Sequence, residues 1–307
     1  MIIPTLTLVI PCHNEARAIS KVIQEFRQTF PDCNIVVINN ASDDETEVLA
    51  KKIGAQVINE PRKGKAQAML KAFEEIQTDL IIMVDGDGSY PAEGAKLLLE
   101  RWQNNPCDML TGIRCSTGDG NVFRPMHQWG SNLFAWFVNV AFKQKTADVF
   151  SGLRLFSKRF YKNVPVLARG FELEMELTIQ AIDKGFSREE INIPFRQREE
   201  GTVSKLKTVT DGFKILKNLV FLFRDYKPLV FFAIFSACFF IAGLVAGLPP
   251  ICEYFQTRLV GRFPLAILAA ALMNLSLFTL LTGMISQANL RYHREAFQIR
   301  LRNFPKS

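Results

Sequence analysis

The densest chemical signal in the chain is Asp85-Gly86-Asp87, which closes the apolar run Leu80-Ile81-Ile82-Met83-Val84. Two carboxylates one residue apart repel each other unless a cation neutralises them, and a hard divalent ion with oxygen ligands suits that task. Such an ion can also hold a diphosphate, so the pair reads as a metal–nucleotide site for Mg2+ or Mn2+. Other polar groups gather where strands give way to helices. These are Pro11-Cys12-His13-Asn14-Glu15, then Asn39-Asn40-Ala41-Ser42-Asp43-Asp44-Glu45-Thr46, then Arg62-Lys63-Gly64-Lys65. A strand-to-helix junction presents free backbone N–H groups to an anion, and a cationic turn at a helix start suits a diphosphate. Of the six cysteines, none forms a C-x-x-C pair and no histidine lies at zinc spacing. Reduced thiols, not a zinc site, are therefore expected.

These residues need a scaffold that gathers strand ends on one side. Residues 1 to about 200 alternate short apolar runs with helical patterns, the signature of an α/β sheet. In an open sheet of that kind, ligands bind in the crevice beyond the carboxyl ends of the strands. The patterning predicts strands over residues 6–10, 34–38 and 56–59, another ending at Asp85, and a further one over 108–112. Helices are predicted over 16–30, 42–53 and 65–77. Ser42 reads as an N-cap with Glu45 completing a capping box, and Gly54 reads as a left-handed helix stop.

Composition changes after Tyr226. Residues 228–252 and 263–290 contain no Asp, Glu, Lys or Arg, and each stretch is long enough to cross a hydrocarbon layer of ~30 Å as a helix. Gly247-Leu248-Pro249-Pro250 is expected to close the first span and Phe263-Pro264 to open the second. The connection carries Arg258 and Arg262, whereas the segment after the second span carries Arg291, Arg294, Arg300, Arg302 and Lys306. Positive-inside logic then puts the large N-terminal domain and the tail in the cytoplasm. The net charge of +7 gathers around the apolar segments, which points to a membrane surface and away from nucleic acid. The expected organisation is a catalytic domain over 1–203, amphipathic juxtamembrane helices over 204–227, a transmembrane hairpin over 228–290 and a basic tail over 291–307. Met1-Ile2-Ile3-Pro4 has neither a basic region nor a long apolar core, so no secretory leader is expected.

In order and spacing, four motifs resemble the inverting family 2 glycosyltransferases of GT-A fold. They are Pro11-x-x-Asn14-Glu15, Asn39-Asn40-x-Ser42-x-Asp44-x-Thr46, Gly64-Lys65-x-x-Ala68 and Asp85-Gly86-Asp87. Downstream, Asp148-Val149-Phe150-Ser151-Gly152-Leu153-Arg154, Gly170-Phe171-Glu172-Leu173-Glu174 and Arg198-x-x-Gly201-x-x-Ser204-Lys205-Leu206 are similar to segments of polyprenyl-phosphate sugar transferases, such as dolichyl-phosphate mannose and glucose synthases. The Q-x-x-R-W motif of processive polysaccharide synthases is absent.

The resemblance implies an α/β nucleotide-diphospho-sugar transferase fold and transfer of one sugar from a nucleotide diphosphate donor to a polyprenyl (undecaprenyl or dolichyl) phosphate. It implies that Asp85 and Asp87 hold Mg2+ or Mn2+, and that Pro11, Asn14, Glu15, Asn39, Ser42, Lys65 and Gly86 form the donor site. Most relatives have Asp where this chain has Asn39, an amide that donates as well as accepts. Arg114, Arg124, Arg154, Arg198 and Lys205 are the expected partners of the acceptor phosphate, because a guanidinium grips oxyanions in bidentate fashion. Asp148 and Glu174 are the acids expected to position the sugar or act as base, or else to brace an arginine. The partners implied are the donor, the polyprenyl phosphate and membrane lipid, and a homo-oligomer is compatible with all of this. The residues alone leave two rivals. Asp85-x-Asp87 could serve an aspartyl-phosphatase of the haloacid dehalogenase type, or the chain could be a membrane scaffold with a degenerate nucleotide fold.

Overall fold

A computed structural model describes residues 4–116, 138–139, 144–166, 173–196 and 220–304. The chain forms two compact units, residues 1–205 with 300–307 and residues 206–299.

The first unit is built on β1 (Leu6–Cys12), β2 (Asn34–Asn39), β3 (Gln56–Asn59), β4 (Leu80–Met83), β5 (Met109–Ser116), β6 (Arg154–Ser157) and β7 (Arg188–Phe195). They make one sheet in the order β3-β2-β1-β4-β6-β5-β7. The first four strands run parallel, β6 runs antiparallel to both β4 and β5, and β5 and β7 are parallel. Every residue of β4 is buried, as an apolar run without alternation requires when helices cover both faces. The helices are α1 (Ile19–Thr29), α2 (Thr46–Lys52), α3 (Lys65–Glu75), α4 (Ala92–Asn104), α5 (Lys158–Tyr161) and α6 (Leu173–Lys184). On α1, Ile19, Val22, Ile23 and Phe26 are buried, one stripe at helical spacing. Each such side chain contributes roughly 1.5–3 kcal/mol by leaving water.

Three local expectations change. The α1 helix starts at Ile19 because the Glu15 carbonyl first accepts from the N–H groups of Ala18 and Ile19 in a separate turn. Ser42 does not cap α2. That helix starts at Thr46, whose N–H bonds Asp44 Oδ1 at 3.1 Å, while Ser42 Oγ accepts from Asn14 N at 3.1 Å. A short side chain that finds a backbone partner across the loop no longer serves its own helix. The fifth strand runs on to Ser116 because β7 pairs with it from Met109–Arg188 to Ser116–Phe195. Gly54 is left-handed as expected, with φ +85°.

Register places the strand ends. Cys12 pairs with Asn39 and Asn39 with Asn59, so these residues form a row at the carboxyl edge. Met83 is paired with Val9 on one side and Arg154 on the other. Continuing both pairings by two or three residues sets Gly86 beside Cys12 and Gly152 opposite Asp85. A Cβ built on Gly86 would lie 2.7 Å from Cys12 Sγ, which confirms the first approach.

In the second unit, α7 (Pro228–Thr257) and α8 (Phe263–Leu301) are each long and apolar enough to cross a membrane. Small residues sit where the two helices meet: Gly243 faces Met273, Gly247 faces Ala269, and Gly283 faces Phe232. Ser236 and Ser276 exchange hydroxyl-to-carbonyl hydrogen bonds at 2.9 Å in both directions, the kind of polar contact that joins helices in lipid. Pro249 and Pro250 do not end α7, contrary to the expectation from sequence. The helix runs through them to Thr257 and stops at Arg258, with φ +61°. The second helix likewise passes residue 290 and continues to Leu301, with Arg291 and Glu295 paired along its flank at 2.8 Å. Of the expected juxtamembrane stretch, residues 204–219 lie outside the described residues, and 220–226 are helical.

Candidate active site

Asp85 stands just past the end of β4, and its two oxygens meet different neighbours. Lys65 Nζ donates to Oδ1 and also to Glu174 Oε1. The other oxygen faces Gly152, where an added Cβ would come within 2.2 Å of Asp85 Oδ2. A side chain at residue 152 would push the Asp85 carboxylate out of its place. Burial opposes the Lys65 charge, yet Asp85 and Glu174 outweigh it and raise the ammonium above the ordinary lysine pKa. Asp87 is buried, and its Oδ1 accepts from Ser89 N at 3.0 Å and Ser89 Oγ at 2.6 Å.

Lys65 is the first residue of α3, and its approach is set by the turn before it. Gly64 has φ +128°, in the region that favours glycine. Asn40 is 3% exposed and holds that turn from both ends of its amide. Its Nδ2 donates to the carbonyls of Glu60 (3.2 Å) and Arg62 (2.7 Å), and its Oδ1 accepts from Gly64 N at 2.7 Å. Glu60 pairs with Arg62, whose hydrogen bonds hold the Glu60 carboxyl down at about 2.

The donor-side residues lie along the carboxyl edge of β1 and β2. Pro11 pairs with Ile38. Asn14 takes the left-handed conformation, φ +57°, and its Oδ1 accepts from Asp43 N at 2.8 Å. Together with the Ser42 contact, this ties the two strand-end loops to each other. Glu15 N donates to Thr46 Oγ1 at 2.9 Å, and its side chain lies 3.7 Å from the position of a Cβ on Gly86. Asn39 is buried. Its Nδ2 donates to Glu47 Oε2 (3.1 Å) and Asn59 Oδ1 (2.9 Å), and its Oδ1 accepts from Ser42 N at 3.3 Å. The carboxylate missing at position 39 thus has a neighbour in Glu47.

On the other side of Asp85 stands a second acid–base pair. Arg114, from β5, grips Asp148 through Nε (2.7 Å) and Nη2 (2.8 Å), and its guanidinium lies 5.6 Å from the ring centre of Phe195. Asp148 therefore braces an arginine in this arrangement, and Glu174 braces Lys65. Tyr90 packs edge-on against Phe195 and accepts a hydrogen bond from Gly152 N at 2.7 Å. Burial pushes its hydroxyl up to about 12.

Arg154 requires a correction. It is 0% exposed, and its guanidinium donates to the carbonyls of Ser151 (2.9 Å) and Val149 (2.8 Å) and to Thr178 Oγ1 (2.8 Å). A cation enclosed by fixed neutral acceptors does not reach out to a lipid phosphate. It shapes the 149–152 loop whose glycine meets Asp85. Arg124, Arg198 and Lys205 lie outside the described residues.

Residues not anticipated from sequence include Tyr90, Glu25 and Arg196. Arg196 Nε donates to Gly88 O at 3.0 Å, Arg196 also bonds Glu25 Oε2, and Glu25 Oε1 accepts from Ala92 N at 2.9 Å. This strut fastens the loop after the acidic pair to the end of β7. Asn40 beside Asn39 was a visible signal, whereas the strut joins residues 171 apart and had none.

The acidic pair fits a hard divalent cation. Asp85 and Asp87 offer oxygen alone, and an ammonium already stands against Asp85 where positive charge is required. Among the described residues, no group of three or more His, Cys, Asp or Glu side chains converges as a metal cage.

Comparison with known proteins agrees with this geometry. Residues 7–164 match the family model described as glycosyl transferase family 2. Glycosyltransferase AglJ of Haloferax volcanii is 27% identical over 293 residues, 94% of each chain. The dolichyl-phosphate hexose transferase of the same organism is 26% identical, covering 70% of this chain and 92% of its own. Among solved structures, Mycobacterium tuberculosis glucosyl-3-phosphoglycerate synthase, in complex with Mn2+ and UDP-glucose, superposes with a TM-score of 0.56 at 18% identity over 72% of this chain and 78% of that one. That likeness establishes the GT-A fold.

Proposed function

The chain belongs to glycosyl transferase family 2 and is a glycosyltransferase; on that premise we propose that it moves a single sugar, with inversion, from a nucleotide diphosphate donor to a polyprenyl phosphate at the cytoplasmic face of a membrane. The observation that carries the acceptor is the pair of long apolar helices following the catalytic unit. Anchorage confines the enzyme to the surface where a water-insoluble phosphate resides and raises the effective acceptor concentration. The Haloferax relative named as a dolichyl-phosphate hexose transferase supports the same assignment.

In this mechanism an acceptor phosphate oxygen attacks the anomeric carbon, the bond from that carbon to the donor diphosphate breaks, and the nucleoside diphosphate leaves with the bonding pair. The phosphate nucleophile is ionised at neutral pH, so alignment and charge stabilisation matter more than proton removal. Asp85 and Asp87 would hold Mg2+ or Mn2+, which supplies charge neutralisation for the departing diphosphate. Lys65, at the start of α3, adds a second cation to the same diphosphate. The strand-end loops carrying Pro11, Asn14, Glu15, Asn39 and Ser42 receive the nucleoside, and Gly86 allows close approach. Arg114 meets the acceptor phosphate while Asp148 sets its orientation, and Arg124, Arg198 and Lys205 are assigned to the same phosphate. Glu174 orients Lys65.

The phosphatase alternative fits poorly. Such enzymes carry the motif after the first strand, whereas here Asp85 and Asp87 follow β4. Glycosyltransferase family membership argues against the scaffold reading.

The test offers the purified full chain a panel of UDP- and GDP-sugars with undecaprenyl phosphate and Mg2+ or Mn2+, then weighs the extracted lipid. A lipid heavier by one hexosyl residue, with one donor preferred, is expected. Transfer to water-soluble acceptors alone would overturn the acceptor assignment.

A further inference from the structure

The acidic pair carries a cation of its own. Lys65 Nζ lies between Asp85 Oδ1 and Glu174 Oε1, and the opposite oxygen of Asp85 faces Gly152. A divalent ion that takes Asp85 through either oxygen therefore stands beside that ammonium. Two cations on one carboxylate repel each other, and the side chains of Lys65, Asp85 and Glu174 are 17%, 25% and 8% exposed, so water screens that repulsion only in part. The displaced ammonium needs a new anion. Its long stem starts at the first turn of α3, where a diphosphate is favoured by the free N–H groups. Asn40 fixes the turn itself, so the movement belongs to the side chain.

We propose that Lys65 is an exchangeable internal counter-cation: it occupies Asp85 in the empty enzyme, competes with the divalent metal there, and passes to the donor diphosphate when nucleotide enters. Metal and nucleotide then bind cooperatively, and metal alone binds weakly. Glu174 is a positioning residue that keeps the ammonium beside the site during the exchange. This deepens the functional reading above and rests on its assumption of a diphosphate donor.

Mn2+ binding to the full chain in detergent, followed by the electron paramagnetic resonance of free Mn2+, provides the test. It is run with and without saturating UDP, and with GDP in a parallel series. Wild type is compared with Lys65→Met and with Lys65→Gln, the second variant keeping a polar group should the first fold poorly. Without nucleotide, both variants are expected to bind Mn2+ about tenfold more tightly than wild type, within the range of ~5–150-fold usual for coupled sites. The factor by which UDP or GDP tightens Mn2+ binding is expected to shrink by a similar amount, since reciprocity ties the two effects together. Equal nucleotide-free affinity in wild type and variants would overturn the exchange while leaving the proposed reaction standing. Absence of Mn2+ binding in every protein, with and without either nucleotide, would overturn both.

Discussion

Two cations, partly exposed Lys65 and fully buried Arg154, both reach α6, and their partners could hardly differ more. Lys65 is held by two carboxylates at the carboxyl edge of the sheet. Arg154 is held by two carbonyls and a hydroxyl and has no exposure at all. Burial weakens the hold of Arg154 on its proton, whereas the acids beside Lys65 strengthen its own. A cation bound by mobile anionic partners can be traded for another cation. One bound by fixed backbone dipoles is part of the frame, because removing it strands those dipoles away from water. Charge near a catalytic site is therefore informative only together with the chemistry of its partners.

The sharpest way to break this contrast is Asp85→Asn. Transfer to lipid is expected to fall about a thousandfold, the scale of losing a principal charge-stabilising group, with the melting temperature nearly unchanged. A large drop in melting temperature instead would place Asp85 in the frame. Arg154→Ala should do the opposite, costing about 3 kcal/mol of stability through stranded carbonyls and a cavity. Denaturant unfolding checks it, and an intact fold with selectively weakened acceptor use would return Arg154 to the phosphate site.

Glu60→Gln probes a charged pair outside the site and should cost about 1 kcal/mol at pH 7, a value held low because Arg62 is 59% exposed. The folded pKa of Glu60 lies below the ordinary 4.5, at about 2. Its contribution is therefore full above pH 4.5 and fades as pH falls from 4.5 toward 2. Thermal unfolding at stepped pH should show wild type and variant converging over that window, and a constant gap would break the assignment. Smallest of all, Ser236→Ala should weaken the hairpin by about 0.6 kcal/mol, the average for polar contacts between membrane helices. Steric-trap unfolding in bilayers reads that value, and a loss several times larger would mean that the serine clasp is the principal joint.

Much of the catalytic unit was legible because its signals are local. Buried β4 shows in an unbroken apolar run, the α1 stripe in helical spacing, and the left-handed stop at Gly54 in its residue type. The ends of elements were less legible where a distant partner intervened. Ser42 looks like a helix cap until Asn14, 28 residues away, takes its hydroxyl. Pro249-Pro250 looks like a helix stop, yet the helix continues to Thr257. Tyr90 and the Glu25–Arg196 strut matter through contacts that no spacing rule encodes.

By itself the sequence determined which side chains stand at the carboxyl edge of the sheet, and that two long charge-free stretches follow. Both properties follow from backbone periodicity and from the cost of burying charge. Tertiary structure decided which of those charges are available. The antiparallel pairing of β6 with β4 seals Arg154 inside, brings Gly152 against Asp85 and leaves Lys65 between two acids. Long-range strand pairing sets such neighbours, and a local pattern carries no information about where a distant strand will dock.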